Sequence, residues 1–423
     1  MRQQIETSRA IAETVAVCRP EVVCAYPITP QTHIVEALAE MVKTGRLHPC
    51  EFINVESEFA ALSVAIGASA AGARAYTATA SQGLLFMAEA VYNAAGLGLP
   101  IVMTIGNRAI GAPINIWNDH SDSMSMRDAG WIQLYAETAQ DAADLHVLAF
   151  RVAEELSCPV MVCVDGFVLT HSYEQVDLLQ QASVDAYLPP FDPRQVLDPA
   201  EPITIGAMVG PEAFLEVRYL AHHKQLRALE RIPELSAQLQ TQTGHASGGL
   251  LRSYRAEDAE TVVIALGSVN GTIQDVVDDL RLKGYAAGSI CICCYRPFPL
   301  ASLRNAVGSA RRVIVVEKSL APGIGGILST DVCTALAGTG IPILTTIAGL
   351  GGRPITKASL QQLFVNAIGG HFPESSGMED LLFLDLNTKL IERHLERERR
   401  CRRSGPVAES LLSDIRVFAG EIG

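Results

Sequence analysis

The sequence has no apolar run of the roughly 20 residues that a membrane-spanning helix needs, although 48% of its 423 residues are hydrophobic. Its first residues, Met1 to Glu6, also lack the apolar core of a signal peptide. Basic residues are too few for a nucleic-acid surface, because 33 lysines and arginines stand against 46 acidic residues and leave a formal charge of -13. We therefore expect a cytoplasmic protein that binds neither membrane nor nucleic acid.

Paired cysteines are also scarce. Most of the ten cysteines stand in apolar segments, as Cys24 and Cys158 do, where a reduced thiol behaves as a small hydrophobe. One Cys-x-x-Cys pair, Cys291 and Cys294, has no second pair to complete a four-thiolate iron–sulfur site, and its segment is typical of a buried strand. We predict no disulfides and no metal ligands in this chain.

The length of the chain favours two domains with a tail. Five prolines between positions 188 and 202 indicate a linker. We predict a first α/β domain at 1–187, a linker and helical segment at 188–255, a second α/β domain at 256–370 and a basic helical tail at 371–423. The tail packs arginines at helical spacing over 389–403, which is typical of a solvated face or of a subunit contact.

Apolar strands alternate with helices in both domains, which predicts mostly parallel sheets covered on both faces. The helices predicted in the first domain include 83–95 and 139–156. Strands are predicted at 22–26, 52–55, 75–80, 101–106, 131–136 and 159–164, and in the second domain at 261–266, 288–295, 312–316 and 341–347.

Polar loops follow four strands of the first predicted sheet, at 26–30, 55–58, 79–83 and 106–108. Because ligands bind outside the carboxyl ends of parallel strands, these loops should converge on one edge. An irregular stretch at 109–127 follows, and a loop of this length is typically functional or mobile. The alternative is a surface loop whose Asx residues make turns. The candidate residues in this stretch are Asn118, Asp119, His120 and Asp122.

Two glutamates, Glu56 and Glu58, lie between a predicted strand and a run of small, apolar residues at 59–68. Carboxylates in a first helical turn complement the helix dipole, so either acid could simply open the helix. An acid that faces the apolar run would instead be desolvated, and a desolvated carboxyl can hold or share a proton. The residues alone leave both interpretations open.

Two glycine clusters lie in the second half, at Gly323-Ile324-Gly325-Gly326 and at Gly349-Leu350-Gly351-Gly352. A glycine-rich turn before a helix can cradle a phosphate. Neither cluster matches a Walker A motif or a dinucleotide fingerprint, which also argues against a nucleotide-dependent dehydrogenase. We predict sharp turns at both.

Several motifs occur in order along the chain. The first four are Tyr26-Pro27-Ile28-Thr29-Pro30, Glu56-Ser57-Glu58, Thr79-Ala80-Ser81-Gln82-Gly83 and Asn107-Arg108-Ala109. The later ones are Trp117-Asn118-Asp119-His120-Ser121-Asp122, Asp165-Gly166-Phe167, Gly210-Pro211-Glu212 and Arg296-Pro297-Phe298-Pro299. Together they resemble the α subunit of 2-oxoacid:ferredoxin oxidoreductases, and pyruvate:ferredoxin oxidoreductase looks closest.

The resemblance implies two transketolase-like, doubly wound domains: a pyrimidine-type thiamine diphosphate domain and a transketolase C-terminal-like domain. It places the cofactor-activating acid at Glu58, which leaves Glu56 a capping role. It places substrate contacts at Thr29 and Arg108, whose guanidinium fork can grip a carboxylate. The cofactor contacts that it implies are Tyr26, Pro27, Ile28, Glu58, Ser81, Gln82 and Gly83.

The resemblance also implies the reaction and the partners. The reaction is coenzyme A-dependent oxidative decarboxylation of pyruvate to acetyl-CoA and CO₂, with electrons passed to ferredoxin. Thiamine diphosphate would be shared with a β subunit that holds Mg²⁺. The [4Fe-4S] clusters would lie on partner subunits, and γ and ferredoxin-like δ subunits are further partners. This chain lacks a Gly-Asp-Gly motif followed by a distant Asn, which agrees with its forming one side of such a site.

Three alternatives remain open at this stage. A branched-chain relative acting on 2-oxoisovalerate shares nearly all of these motifs, and a 2-oxoglutarate enzyme shares several. The resemblance implies a monocarboxylate at Thr29, because relatives that act on oxalate carry a second arginine at this position. Residues 110–116 would set the size of the substrate side chain. A non-catalytic scaffold is the third alternative, which the presence of Glu58, Thr29 and Arg108 disfavours.

Overall fold

The apolar runs of the sequence form two mostly parallel sheets in the computed structural model, which describes residues 2–370, 381–401 and 405–420. The central strands are buried along their whole length, as expected where helices cover both faces. The prediction of two doubly wound α/β domains is confirmed.

The strands of the first half are β1 (Arg2–Glu6), β2 (Val22–Ala25), β3 (Glu51–Asn54), β4 (Ala75–Thr79), β5 (Val102–Asn107), β6 (Ile132–Tyr135), β7 (Val160–Asp165) and β8 (Tyr173–Asp177). Its helices are α1 (Thr7–Val17), α2 (Thr32–Lys43), α3 (Glu58–Ala70), α4 (Ser81–Phe86), α5 (Ala88–Leu97), α6 (Ser121–Ser125), α7 (Ala139–Leu156) and α8 (Gln181–Tyr187). The single helix predicted at 83–95 is therefore wrong. Met87 has non-helical dihedrals and a fully buried side chain, so core packing breaks the helix there.

The long helix α9 (Phe214–Thr243) follows the linker. The strands of the second half are β9 (Leu251–Tyr254), β10 (Thr261–Ala265), β11 (Ala287–Ile292), β12 (Cys294–Arg296), β13 (Arg312–Glu317), β14 (Ile343–Ile347) and β15 (Leu381–Phe383). Its helices are α10 (Val269–Leu282), α11 (Leu300–Val307), α12 (Ile327–Ala335), α13 (Lys357–Ile368), α14 (Thr388–Arg400) and α15 (Val407–Gly420), with a 3₁₀ turn at Leu350–Gly352.

The first sheet has the strand order β12-β6-β7-β5-β4-β2-β3, and all of its neighbours are parallel except β12 with β6. The second has the order β15-β14-β13-β10-β11-β9, with only β9 antiparallel. In the first sheet the chain adds β3 on one side of β2 and β4 on the other. This reversal places a ligand crevice outside the carboxyl end of β2.

The strand predicted at 288–295 is wrong in its extent, because the chain leaves one sheet for the other within it. β11 belongs to the second sheet, whereas β12 pairs antiparallel with β6 of the first. Tyr135 N donates to Cys293 O at 2.8 Å across the change of sheet. All ten cysteines are free thiols, and Cys291, Cys293 and Cys294 are buried in these strands.

The two domains share hydrophobic packing. One cluster joins Leu84 and Trp131 of the first domain to Ile264 and Leu303 of the second. The strand exchange and this shared cluster fix the two sheets relative to each other. Among the described residues, no helix combines the length and the apolar character that crossing a membrane requires.

The tail begins as part of the second domain and ends as a helical pair. β15 pairs with β14 at the edge of the second sheet, and α14 matches the helix predicted from the basic run. Arg397 donates to both carboxylate oxygens of Asp414 at 2.7 Å, which joins α14 to α15. Arg402 and Arg403 of the predicted patch lie outside the described residues. The domain boundaries stay a prediction.

Candidate active site

Glu58 is the first residue of α3 and lies at the carboxyl edge of the first sheet. Ser57 caps this helix, since its hydroxyl accepts a hydrogen bond from Ala60 N at 3.2 Å. The capping role predicted for Glu56 is therefore wrong, and the Glu56 side chain points to solvent. Glu58 is 9% exposed, and no described residue donates a hydrogen bond to its carboxylate. Its free oxygens can accept a hydrogen bond from a ligand.

Gly83 in α4 brings a helix backbone against Glu58. A Cβ atom on Gly83 would lie 2.8 Å from Glu58 Oε1 and 2.6 Å from Thr79 Oγ1, closer than real side chains approach. Thr79 Oγ1 is buried and has no hydrogen-bond partner among the described residues. The segment at 79–83 therefore leaves two polar groups without protein partners beside a position that only glycine fits. Both groups are therefore available to hydrogen-bond a ligand.

Asp122 ties three of the predicted loops together. Its Oδ2 accepts hydrogen bonds from Ser81 N at 2.9 Å and from Arg108 N at 3.0 Å. Its Oδ1 accepts from Asn107 Nδ2 and from Ser123 N, both at 2.8 Å. Burial raises the pKa of Asp122 to about 7, although these N–H donors oppose the shift. Asp122 holds the loops after β4 and β5 in register with each other.

Arg108 faces the loop that carries Thr29. Its Nη1 donates to Thr29 O at 2.9 Å and its Nε donates to Asn115 O at 3.1 Å. Nη2 has no partner among the described residues. Burial lowers the pKa of Arg108, and the charge of Asp122 counteracts this. The structure thus brings together Thr29, whose side chain is exposed, and an arginine with one unused arm.

The other predicted cofactor contacts lie around the same edge. Gln31 Nε2 donates to Tyr26 O at 3.0 Å and fixes the start of the 26–30 loop, while Tyr26 and Pro27 are exposed and Ile28 is half-buried. Ser81 has a positive φ of 48° and its hydroxyl donates to Ala109 O at 2.5 Å. Gln82 lies close to Gly111, where a Cβ atom would be 2.6 Å from Gln82 Nε2.

Asp119 and His120 make hydrogen bonds to the second domain instead, whereas Asn118 Nδ2 is buried without a partner among the described residues. Asp119 Oδ2 accepts from Gly351 N at 3.0 Å, and Asn118 is buried beside this turn. His120 Nε2 lies 2.7 Å from Asp165 Oδ1, and His120 N donates to Lys318 O at 2.7 Å. Only Asp122 of the four joins the group around Arg108.

Asp165 and Lys318 form a buried ion pair between the domains. Lys318 Nζ lies 2.6 Å from Asp165 Oδ2, which also accepts a hydrogen bond from Ser268 N at 2.9 Å. Burial alone would raise the pKa of Asp165, but the charges of Lys318 and His120 outweigh it and hold this pKa well below its usual range. The Asp165-Gly166-Phe167 motif is thereby fixed at the domain boundary.

The glycine clusters form turns, as predicted. Gly349, Gly351 and Gly352 have positive φ values. Gly351 and Gly352 pack against Asn115 and Trp117, whereas Gly349 packs against Lys318 and Ile355. At the other cluster, the carboxylate of Glu317 occupies the start of α12, where it accepts from Ile327 N at 2.8 Å and Leu328 N at 2.9 Å. A carboxylate of the chain itself thus takes the place that a phosphate would need.

Comparison with known families and relatives agrees with this geometry. Residues 13–237 match the family described as pyruvate flavodoxin/ferredoxin oxidoreductase, thiamine diphosphate-binding. Residues 259–360 match pyruvate:ferredoxin oxidoreductase core domain II. The chain belongs to the pyruvate:ferredoxin oxidoreductase family. The resemblance inferred from the motifs is therefore confirmed.

Individual relatives of the family cover most of the chain. Pyruvate synthase subunit PorA of Methanosarcina barkeri is 46% identical over 364 residues, which cover 85% of this chain and 90% of that protein. Ketoisovalerate oxidoreductase subunit VorA of Pyrococcus horikoshii is 39% identical over 366 residues, covering 86% of this chain and 93% of that protein.

Two solved structures share the fold. A 2-oxoglutarate:ferredoxin oxidoreductase from Magnetococcus marinus, with 2-oxoglutarate, coenzyme A and succinyl-CoA bound, superposes with a TM-score of 0.65 at 20% identity and covers 87% of this chain and 65% of its own. A split-gene transketolase superposes with a TM-score of 0.51 at 14% identity and covers 87% of this chain and 99% of its own. The transketolase-like fold is confirmed.

The residues at the edge of the first sheet fit thiamine diphosphate, the cofactor of this family's first domain. Glu58 and Thr79 pack against Gly83 and offer polar atoms that have no hydrogen-bond partner among the described residues. Sequence reasoning missed the roles of Thr79 and Asn107, although both lie inside its motifs. Their signal was available: each is a polar residue that ends a buried strand.

Proposed function

We propose that this chain is the α subunit of a pyruvate:ferredoxin oxidoreductase, inactive without its partners. The observation that carries the proposal is the buried Glu58 carboxylate, which has no hydrogen-bond donor among the described residues. The substrate is pyruvate, coenzyme A accepts the acetyl group, and electrons leave through [4Fe-4S] clusters on partner subunits to ferredoxin. Residues 1–187 form the pyrimidine-type domain, and the complex works in the cytoplasm.

We assign the activation of the cofactor to the Glu58 carboxyl group. When bound, thiamine diphosphate supplies the nucleophile and the electron sink for decarboxylation. A carboxyl fixed at the start of α3 and shielded from water can hydrogen-bond a ring nitrogen and shift a proton on it. A side chain at Gly83 would collide with Glu58 and Thr79, so glycine at this position lets both groups stay where they lie.

Arg108 and Thr29 bind the substrate carboxylate. The unused Nη2 of Arg108 donates to one carboxylate oxygen, and the exposed Thr29 hydroxyl supplies a further hydrogen bond without adding charge. Asp122 touches neither substrate nor cofactor in this arrangement. It is a positioning residue, because it fixes Arg108 N and Ser81 N together.

The edge that carries the site is left open for a partner. Phe86 at the end of α4 and the loop residues Ile114 and Trp117 are 61%, 80% and 53% accessible. Large apolar side chains around a catalytic edge are typical of a surface that another protein covers. A β subunit that contributes diphosphate and Mg²⁺ contacts is the partner that we propose here. The further partners that we propose are γ and ferredoxin-like δ subunits.

A branched-chain 2-oxoacid is the second candidate substrate, because the VorA relative is 39% identical to the chain. Pyruvate is preferred because the pyruvate synthase relative is 46% identical over a similar length. Residues 110–116 are the segment that we expect to distinguish the two by the size of the substrate side chain.

The test is coenzyme A-dependent reduction of a viologen dye by the anaerobically purified complex. Pyruvate, 2-oxoisovalerate, 2-oxoglutarate and oxalate are compared, with Glu58→Gln and Glu56→Gln as paired variants. We expect the highest rate with pyruvate. Glu58→Gln should lower the rate with pyruvate by at least about 100-fold. Glu56→Gln should keep wild-type activity, because Glu56 is exposed.

A preference for 2-oxoisovalerate would agree with the proposed mechanism but would show that pyruvate is not the preferred substrate. Full activity of Glu58→Gln would show that Glu58 does not activate the cofactor. An absence of turnover with every 2-oxoacid in a complex that retains its partner subunits would favour a scaffold.

A further inference from the structure

Three potential metal ligands from distant parts of the chain meet outside the candidate active site. One ligand atom each of Glu6, His33 and His171 lies within 4.8 Å of the other two. The His33 Nδ1 atom is 2.6 Å from Glu6 Oε1, and the two histidine rings have centroids 4.8 Å apart. No sequence motif points to this group, because its members are widely separated along the chain.

The backbone holds these residues together without help from their side chains. Glu6 ends β1 and pairs with Tyr173 of β8, while Thr7 N donates to Ser172 O at 3.0 Å. Glu6 and His171 are therefore neighbours through a backbone ladder. His33 lies in the first turn of α2, which follows the loop that carries Thr29. The group is thus built by three separate elements that the fold fixes.

His171 has an oriented ring. Its Nδ1 lies 2.8 Å from Thr170 Oγ1, which also accepts a hydrogen bond from Phe167 N at 2.8 Å. The Phe167 ring packs against His171 with centroids 4.8 Å apart. A histidine that donates its Nδ1 proton to a neighbouring oxygen presents Nε2 for coordination, which is the usual arrangement of metal-binding histidines.

The chemistry of the ligand set selects the class of metal. Two imidazole nitrogens and one carboxylate oxygen suit Zn²⁺ and related transition ions, whereas Mg²⁺ and Ca²⁺ prefer oxygen alone. Ligand atoms around tetrahedral zinc lie roughly 3.3 Å apart at bonds of about 2.0 Å. The three ligand atoms lie within 4.8 Å of one another, so zinc binding would draw them closer together. Water can complete the coordination, because His33 is 48% exposed.

We propose that Glu6, His33 and His171 bind a divalent transition metal ion of the zinc class. The ion joins the end of β1, the start of α2 and the turn after β7. Two of these elements adjoin loops of the candidate active site, since His33 follows the Thr29 loop and Phe167 contacts the exposed Trp117 ring at 4.9 Å between centroids. The proposal is independent of the catalytic assignment.

The test is zinc titration of the full-length chain after metal removal, in competition with a fluorescent chelator. Cys333 and Cys401 are exposed thiols that would bind zinc themselves, so every protein carries Cys333→Ser and Cys401→Ser. We expect one zinc ion with submicromolar affinity. His33→Ala and His171→Ala should each weaken binding by at least about tenfold. His48→Ala is the matched control, because His48 is an exposed histidine outside the group.

Cobalt gives a second readout that does not depend on affinity. Co²⁺ bound by imidazole and carboxylate shows weak visible bands without the intense near-ultraviolet absorption of cobalt–thiolate bonds. We expect these bands in the parent protein and in His48→Ala, and their loss in His171→Ala. Equal zinc affinity in all variants, or an absence of binding at the chelator's working range, would overturn the proposal.

Discussion

Two buried glutamates, Glu58 in the first domain and Glu317 in the second, each lie beside a glycine at the start of a helix. A Cβ atom would lie 2.8 Å from Glu58 at Gly83 and 2.2 Å from Glu317 at Gly326. Glu317 accepts hydrogen bonds from three backbone N–H groups and from the hydroxyls of Ser319 and Ser329. Glu58 accepts none from the described residues.

The difference separates a structural acid from a functional one. Burial raises the pKa of Glu317, while the surrounding donors oppose the shift and stabilise the charge. Every oxygen of Glu317 is already used by the chain, so it cannot serve a ligand. Glu58 keeps its acceptors free at a comparable degree of burial. A buried polar group without protein partners is costly to stability, and this cost is typical of functional sites.

The strongest test of the comparison is the effect of each glutamate on stability. Glu317→Ala leaves the first N–H groups of α12 buried without acceptors, and we expect a loss of about 3 kcal/mol in the free energy of unfolding. Glu58→Ala removes no such partner and should cost less than about 1 kcal/mol. Urea denaturation followed by circular dichroism measures both. Equal losses would abolish the distinction.

Asp122 sharpens the comparison, because it is a buried acid at the active edge that the chain itself satisfies. Its pKa of about 7 lies above the ordinary value of about 4, so between these values the folded protein binds more protons than the unfolded chain. The stabilising contribution of Asp122 to the free energy of unfolding is therefore fully present below about pH 4 and is lost as the pH rises through about 7.

The pH dependence of unfolding measures this effect. From pH 5 to pH 8, the wild type should lose about 2 kcal/mol more stability than Asp122→Asn, because the amide does not titrate. Asp122→Asn should also raise KM for pyruvate, since it loosens the Arg108 loop. The control Asp128→Asn, at an exposed site, should change neither the pH dependence of stability nor KM. Parallel stability profiles of the two proteins would contradict the assignment.

The smallest expected effect concerns the glycine beside Glu58. Gly83→Ala places a methyl group against Glu58 and Thr79, and we expect it to weaken thiamine diphosphate binding by about tenfold, or about 1.4 kcal/mol. Gly67→Ala in the same helix as Glu58 meets nothing within 4 Å and should leave binding unchanged while stabilising α3 by up to about 1 kcal/mol. Titration of each variant complex with thiamine diphosphate measures the two affinities.

Local periodicity and strand order made much of this fold predictable. The helix predicted at 139–156 is observed with the same bounds as α7, because an N-cap at Thr138 and a buried apolar face mark it. The four polar loops do meet at one edge, since their strands are parallel neighbours. The motif residues Glu58, Arg108, Thr29 and Asp122 all lie there.

Tertiary contacts decided what the sequence pattern could not. The run at 288–295 is uniformly apolar, so nothing local marks the point where the chain passes from one sheet to the other. His120 and Asp119 are polar loop residues by pattern, but their partners Lys318 and Gly351 are about 200 positions away. The capping role went to Ser57, which fits an N-cap better than Glu56 does.

The most direct test of the central claim is the exchange rate of the thiamine C2 proton in the reconstituted complex. This rate reports cofactor activation before any substrate binds. We predict that Glu58→Gln slows the exchange by at least about 100-fold, whereas Glu317→Gln, if folded, retains the wild-type rate. An unchanged rate in Glu58→Gln would contradict the claim that the free buried carboxylate activates the cofactor.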